Sequence, residues 1–218
     1  MSNSLVTINL VVLNGEKYIR HCLDAILAQT YPHESIEFNI LDNGSTDRTK
    51  EIIQSLEFRI FDLGFAKFNL VKSKLNLGMW PGQEELLKHS TGKYILAMAV
   101  DVILDKNFIR NAVEVIEQDK RIGALQAKIY KYSLDQLGAS GWELGVDVID
   151  TCGFKIFKSR RIVNIGHGEK DLGQYNNLEG IIGVEGACPF FRREALENSK
   201  INGEIFDPDY FWYGDDLD

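Results

Sequence analysis

The chain is 218 residues long, 44% hydrophobic and 26% charged, with a formal net charge of -8. That length suits one generous domain with a sizeable core, and the acidic balance argues against a general nucleic-acid binder, which needs a basic face. The three cysteines, Cys22, Cys152 and Cys188, form no Cys-x-x-Cys pair, so neither a disulfide framework nor a zinc site is expected, and free thiols fit a reducing cytosol.

The start, Met1-Ser2-Asn3-Ser4, lacks the basic stretch of a secretory leader, so no such leader is expected. The longest clean apolar run, 94–100, is too short to cross a bilayer. Lys155, Lys158, Arg160 and Arg161 cluster together and read as a solvated face.

In chain order, residues 6–13 are rich in β-branched side chains and read as a buried first strand. Ile19, Cys22, Leu23, Ile26 and Leu27 then recur at helical spacing, and Gln29-Thr30-Tyr31-Pro32 ends that helix. A second strand is expected over 36–41. Ser45 or Thr46 is the expected cap of the next helix, with Asp47 favourable at its positive end. A short strand follows at 69–72, a loop at 76–82, a helix over 83–89 and a buried strand over 94–99.

Asp105 reads as the cap of a helix marked by Phe108, Ile109, Ala112, Val113 and Ile116, and a strand is expected over 124–130. The alternation indicates an α/β fold with a largely parallel sheet covered by helices. Residues 131–183 are irregular and glycine-rich, which suits an acceptor-shaping or mobile region. Regularity returns at 184–187, and a short helix is expected near 193–198.

Four groups carry candidate chemistry. Asp42-Asn43-Gly44-Ser45-Thr46-Asp47 follows the second strand, and ligands of open α/β sheets bind at that strand edge. Its bland alternative is a turn, which an Asx residue before glycine makes routinely. Asp101 follows the strand at 94–99, where a carboxylate can hold a divalent cation bridging diphosphate oxygens or cap the strand end. Asn76-Leu77-Gly78 offers an amide and a close backbone approach to phosphate or sugar, or is simply a turn. Last, Asp215 and Asp216 follow Phe211, Trp212 and Tyr213, where partial burial would raise a carboxyl toward general-base duty. A solvated acidic terminus is the alternative there. The four histidines, Trp80 and Trp142 show no ligand pattern. No Gly-x-Gly-x-x-Gly, phosphate-binding loop or Gly-x-Ser-x-Gly elbow is present in the chain.

Taken in order, these segments resemble the family 2 glycosyltransferases of the GT-A fold. The resemblance runs from about Val6 to Asp218 and is strongest at 11–19, 23–31 and 41–47. Asn76-Leu77-Gly78, Asp101-Val102-Ile103-Leu104, Glu185-Gly186-Ala187 with Arg192-Arg193, and Tyr213-Gly214-Asp215-Asp216 extend it. Ile149-Asp150-Thr151-Cys152-Gly153 and Gly173-Gln174-Tyr175 point to the rhamnosyltransferase-like branch that builds bacterial surface polysaccharides.

The resemblance implies one GT-A-like domain over 1–218, with a Rossmann-like, mixed but mostly parallel sheet flanked by helices. Residues to about 105 would bind a nucleotide-diphosphate sugar, and those from about 106 would face the acceptor. Leu13, Asn14 and Glu16 would line the nucleoside pocket, Asp42 would read the base, and Asn76 with Gly78 would approach the donor sugar or phosphates. Asp101 would hold Mg2+ or Mn2+, and Asp216 beside Asp215 would deprotonate the acceptor in an inverting transfer. Glu185, Gly186 and Trp212 would border a saccharide or lipid-linked saccharide acceptor.

A cytoplasmic location, at the inner membrane face for a lipid-linked acceptor, is implied with it. Three departures qualify the match: Ala99 and Val100 replace a second metal carboxylate, Asp215 replaces a Glu, and the chain ends at Asp218 where a further helix is expected. Two rivals stand beside this reading. One is a non-catalytic nucleotide-sugar binding module; the other is a sugar-phosphate nucleotidyltransferase, disfavoured because Asn14-Gly15-Glu16-Lys17 is no glycine-rich basic loop.

Overall fold

The computed structural model describes residues 3–136, 147–178 and 180–207. By internal contacts the described residues form two compact units: 3–125 with 186–207, and 126–185. This division by contacts is a different matter from the functional halves expected about residue 105.

The first unit alternates β1 (Val6–Val12), α1 (Ile19–Leu27), β2 (Ile36–Asp42), α2 (Thr49–Asp62), β3 (Lys67–Lys72), α3 (Met79–Leu87), β4 (Tyr94–Ala99), α4 (Phe108–Gln118) and β5 (Ala124–Leu125). The second unit holds the short strands β6 (Ile129–Tyr130), β7 (Ile149–Thr151), β8 (Phe154–Ile156) and β9 (Ile162–Asn164). The chain then adds β10 (Phe190–Arg192) and α5 (Arg193–Asn198) to the first. The main sheet has the order β3-β2-β1-β4-β10-β5, with β1 to β4 parallel and β10 antiparallel to both neighbours. It is the expected α/β architecture, a mostly parallel sheet flanked by helices.

Register and the two-residue period sort the side chains onto two faces. Ile8, Leu10, Phe38, Ile40, Leu96, Met98 and Phe190 share one face and are completely buried. The other face changes character along the strands. Near the carboxyl ends Val11 and Leu41 pack with Leu86 of α3, and Gly82 lets the helix close in, since a Cβ there would sit 3.1 Å from both Val11 and Leu41.

Toward the amino ends that same face is polar. Asn39 Nδ2 donates to Asn9 Oδ1 at 2.9 Å and Asn69 Nδ2 to Asn39 Oδ1 at 2.6 Å. One row further, Thr7 Oγ1 donates to Glu37 Oε2 at 2.5 Å, and Thr91 N–H donates to the same oxygen at 2.6 Å. Buried polar groups are tolerated when paired in this way.

Several elements differ from expectation, among them the short strands β7 to β9 inside the stretch 131–183 read as irregular. α3 begins at Met79 rather than 83, because Pro81 falls in the first turn, where N–H groups have no intrahelical partner anyway. α2 begins at Thr49, beyond Ser45 and Thr46. The strand expected over 124–130 divides at Gln126, whose side chain bonds local backbone instead of extending a ladder: Nε2 donates to Ala127 O and Oε1 accepts from Glu185 N–H. At 186–188 the chain turns, and the regular strand comes later, at Phe190–Arg192.

In the second unit Asp171 organises the loop that follows β9. It accepts from Lys128 Nζ at 2.8 Å, Tyr130 OH at 2.5 Å and Gly173 N–H at 2.9 Å. Lys128, then Tyr130 and the Gly173 N–H, hold its carboxyl down at about 2. Burial, with Asp171 adding to it, pushes Tyr130 up to about 12. Among the described residues no helix is long and apolar enough to cross a membrane, and all three cysteines are buried and outside any disulfide.

Candidate active site

The parallel strands end nearly level, with Val12 opposite Asp42, Asp42 opposite Lys72, and Val11 opposite Ala99. The residues just beyond them therefore gather at one sheet edge, the place where open α/β sheets take ligands. Asn14, Asp42, Asn76 and Asp101 all leave strands there.

Asn14 adopts a positive φ of 50°, a conformation Asn tolerates better than most residues. It clamps onto the turn after β2. Its N–H donates to Ser45 Oγ at 3.0 Å and its Oδ1 accepts from Thr46 N–H at 2.8 Å. Gly15 N–H donates to Thr49 Oγ1 at 2.8 Å, and Glu16 N–H to Asp47 Oδ2 at 3.1 Å. Glu16 Oε2 in turn accepts from Arg48 N–H at 3.1 Å.

Asp47 Oδ1 accepts from both Thr49 N–H and Thr49 Oγ1, so Asp47 does the capping work expected of Ser45 or Thr46. Partial burial works against its charge, but these donors outweigh it and hold the carboxyl below its ordinary range. Ser45 and Thr46 serve the Asn14 loop instead. Leu13 and Glu16 are exposed beside it.

Asp42 is only 1% exposed. Its Oδ1 accepts from Ser45 N–H at 2.9 Å, which is the turn role. Oδ2 has no hydrogen-bond partner and lies 3.6 Å from Lys50 Nζ. A small recess beside it is lined by Lys50, Ile53, Gln54, Leu70 and Lys72. The charge on Oδ2 is met by the Lys50 ammonium rather than by a hydrogen bond.

Asn43, which sequence reasoning passed over, ties the next loop down. Its Nδ2 donates to Asn76 Oδ1 and to Gly78 O, each at 3.0 Å, and its Oδ1 accepts from Leu77 N–H at 2.9 Å. Asn76 Oδ1 also accepts from Gly78 N–H. Two glycines are required here. Gly78 has φ 92° and ψ 177°, a region open essentially to glycine alone. Gly44 has φ 90°, and a Cβ on it would lie 3.2 Å from the Leu75 carbonyl carbon. An amide between Asp and a turn glycine was the signal in the sequence, but its partners lie more than thirty residues away.

Asp101 is exposed past the end of β4. Gly15 packs against its neighbour Val100, a Cβ on Gly15 falling 2.9 Å from Val100 Cγ2. Ala99 N–H donates to Ala187 O at 2.9 Å, which sets the buried Gly186 one residue from the same strand end. Glu185 belongs to the second unit, where its N–H donates to Gln126. Asp215, Asp216 and Trp212 lie outside the described residues.

Among the described residues no three His, Cys, Asp or Glu side chains gather as a metal cluster. Asp101 presents an exposed carboxylate at this strand end, and Mg2+ sites in general can use one carboxylate and complete the shell with substrate phosphates and water.

The family model for glycosyl transferase family 2 matches residues 7–199. The chain belongs to that family. A glucuronosyltransferase of Methanococcus voltae, named for transfer to dolichyl N-acetyl-glucosaminyl phosphate, is 25% identical over 118 residues, which are 54% of this chain and 36% of that protein. TarS of Staphylococcus aureus, a poly(ribitol-phosphate) β-N-acetylglucosaminyltransferase, is 28% identical over 108 residues, 48% of this chain and 18% of TarS.

The structure of TarS 1-349 with UDP superposes with a TM-score of 0.63 at 17% identity, covering 98% of this chain and 53% of that one. The mannosyltransferase PcManGT of Pyrobaculum calidifontis, solved with GDP-Man and Mn2+, gives 0.64 at 20% identity over 95% of this chain and 49% of that one. These structures establish the GT-A fold. The matched regions span about a third or less of these two curated relatives' length.

Proposed function

We propose that this chain is an inverting, metal-assisted glycosyltransferase. It moves a sugar from a nucleotide-diphosphate donor to a hydroxyl of a saccharide or lipid-linked saccharide, in bacterial surface-polysaccharide synthesis. The observation that carries the reading is the hydrogen-bonded edge itself: the loops after β1, β2 and β3 are locked together by Asn14, Asn43 and Asp47, with Asp101 beyond the adjoining end of β4. PcManGT was solved with GDP-Man and Mn2+ and TarS with UDP, which supports the same ligand class at this edge. Both curated relatives are named for β-linkages, the product of inversion from an α-linked donor.

In this reading the carboxylate of Asp42 accepts an N–H of the base, with Leu13, Asn14 and Glu16 along the nucleoside. Asn76 and Gly78 approach the diphosphate, where the amino end of α3 favours negative charge. Asp101 would hold Mg2+ or Mn2+, which neutralises charge on the departing diphosphate when bound. Asp216, with Asp215 beside it, takes the acceptor hydroxyl proton as that oxygen attacks the anomeric carbon. The bond to the diphosphate breaks on the opposite face and its electron pair leaves with the nucleotide. Glu185, Gly186 and Trp212 border the acceptor. The rhamnosyltransferase-like assignment rests on the 149–153 and 173–175 stretches alone, and the cytoplasmic face of the inner membrane is where a lipid-linked acceptor would meet it.

The test is a thermal-shift panel of UDP-, GDP-, CMP- and dTDP-sugars with and without Mn2+, followed by nucleotide-release assays. A true donor at about 100-fold over its Kd stabilises by about 2.7 kcal/mol, a Tm rise of roughly 5–10 °C for a chain this size. No stabilisation by any member would remove the reading. Binding with neither transfer nor donor hydrolysis would reduce the chain to a binding module.

A further inference from the structure

We propose that the tip of the β8–β9 hairpin, residues 155–161, is a docking surface for an anionic lipid bilayer. The transferase reading gives this docking its purpose, access to a lipid-linked acceptor, while the binding itself rests on the hairpin. Lys155-Ile156-Phe157-Lys158-Ser159-Arg160-Arg161 carries four cations and no anion, in a chain whose formal net charge is -8. All seven residues are exposed. Among the described residues none of the four cations pairs with a carboxylate. Four acids of the same unit are engaged elsewhere: Asp147 with Lys170, Asp150 with Lys131, Asp171 with Lys128 and Glu169 with the Tyr175 hydroxyl.

The hairpin presents this charge on a firm stem. Ile156 pairs with Ile162 across the strands, and at the base the buried Phe154 bonds through its backbone to Gly183 and Ile182. At the tip Phe157 N–H donates to Arg161 O at 2.9 Å, and Arg160 N–H donates to Phe157 O at 2.8 Å. Arg160 has φ 63°, a conformation that hairpin turns ordinarily give to glycine or asparagine. An arginine therefore stands there against the local backbone preference.

Ile156 and Phe157 are each 46% exposed, and the Lys155 ammonium lies 5.4 Å from the centroid of the Phe157 ring. Cations around two uncovered apolar side chains match the edge of a bilayer, where the cations meet headgroup phosphates and the apolar groups enter the acyl boundary. A nucleic acid would satisfy the cations equally well. Ile156, however, offers no ring on which a base could stack, whereas a hydrocarbon boundary favours burial of both side chains.

The test is co-sedimentation of the full chain with vesicles of phosphatidylcholine, alone or with about one-third phosphatidylglycerol. The anionic vesicles should bind at least about tenfold more tightly, and added salt should weaken that binding. Lys158→Gln with Arg161→Gln should cost about 25-fold, at about fivefold per cation. Phe157→Ala should cost about tenfold. Lys106→Gln with Lys120→Gln makes the same charge change on exposed lysines elsewhere and should alter binding less than about twofold. Arg160→Gly guards against misfolding: it relieves the positive φ, so Tm should hold or rise while binding falls about fivefold.

No vesicle binding, equal binding to neutral vesicles, or wild-type binding by both the double hairpin variant and Phe157→Ala would overturn the dock. So would tighter binding to duplex DNA at equal phosphate concentration. Donor turnover is measured apart, with a soluble saccharide acceptor. Turnover without vesicle binding removes the dock alone, and vesicle binding by a chain that turns over no donor removes the transferase reading alone.

Discussion

Asn43 Nδ2 donates to Asn76 Oδ1 at 3.0 Å, tying the turn after β2 to the loop after β3. The same side chain satisfies Gly78 O and Leu77 N–H. Asn43→Ala removes all three bonds, and leaving such groups unpaired costs about 1–3 kcal/mol each when they are buried. We expect nucleotide affinity by calorimetry to fall at least 10-fold. Unchanged affinity in a folded Asn43→Ala would show that the 76–78 loop does not face the donor.

Asp42 and Asp216 should separate binding from chemistry. Asp42→Ala should abolish nucleotide-induced stabilisation, because it deletes the carboxylate proposed to read the base. Asp216→Asn should keep that stabilisation and lose turnover, as removal of a general base does by about 10²–10⁴-fold. Thermal shift and nucleotide release on the same preparations check both.

For Asp101 the expected signature is in the metal titration. Asp101→Asn should raise the Mn2+ concentration for half-maximal donor stabilisation by about 10-fold or more, since it removes the carboxylate charge proposed to hold the ion. Metal-free nucleotide binding should change little. An unaltered Mn2+ requirement would take Asp101 out of that role.

Asp47 gives a pH prediction. Its carboxyl is held below the ordinary 3.8 in the fold, so the stability it contributes is present above that value and drains away as pH falls through the lowered one. Urea unfolding of wild type and Asp47→Asn should therefore differ by a constant amount from pH 7 to about 5, with the difference shrinking below about 4. A difference that stays flat down to pH 2 would contradict the clamp between Asp47 and residues 14–16.

The asparagine ladder makes a stability prediction. Asn39→Ala leaves Asn9 Oδ1 and Asn69 Nδ2 without that partner under α3. The expected cost is about 2–3 kcal/mol, or roughly 5–10 °C in Tm for a chain this size. Thermal unfolding checks it, and a loss under about 1 kcal/mol would mean the site repacks.

Much of the fold was legible because its signals are local. The β-branched run of β1 and the apolar stripe Ile19, Cys22, Leu23, Ile26, Leu27 each announce an element within a dozen residues, and the order of elements implies a parallel sheet. Asp42, Asn76 and Asp101 could be placed at strand ends for the same reason. The motif at 42–47 is legible as a turn at a strand end, but not which atom does what. Only the fold shows that Asp42 Oδ1 closes the turn while Oδ2 faces Lys50, and that Asp47 rather than Ser45 accepts the first N–H of α2.

The sequence by itself determined the elements of the first 120 residues, their order and the family resemblance, because periodicity, turn chemistry and motif spacing act over short stretches; the short strands β7 to β9 inside 131–183 were not legible in it. Tertiary structure alone decided which distant polar groups meet. Asn9, Asn39 and Asn69 stand thirty residues apart and become neighbours through strand register. Asn43 reaches Asn76, and Glu84 reaches the backbone at 205–206, by the same kind of closure. Hydrogen bonds are set by distances of about 3 Å, and those distances exist only once the sheet has aligned its strand ends and α3 has packed against it.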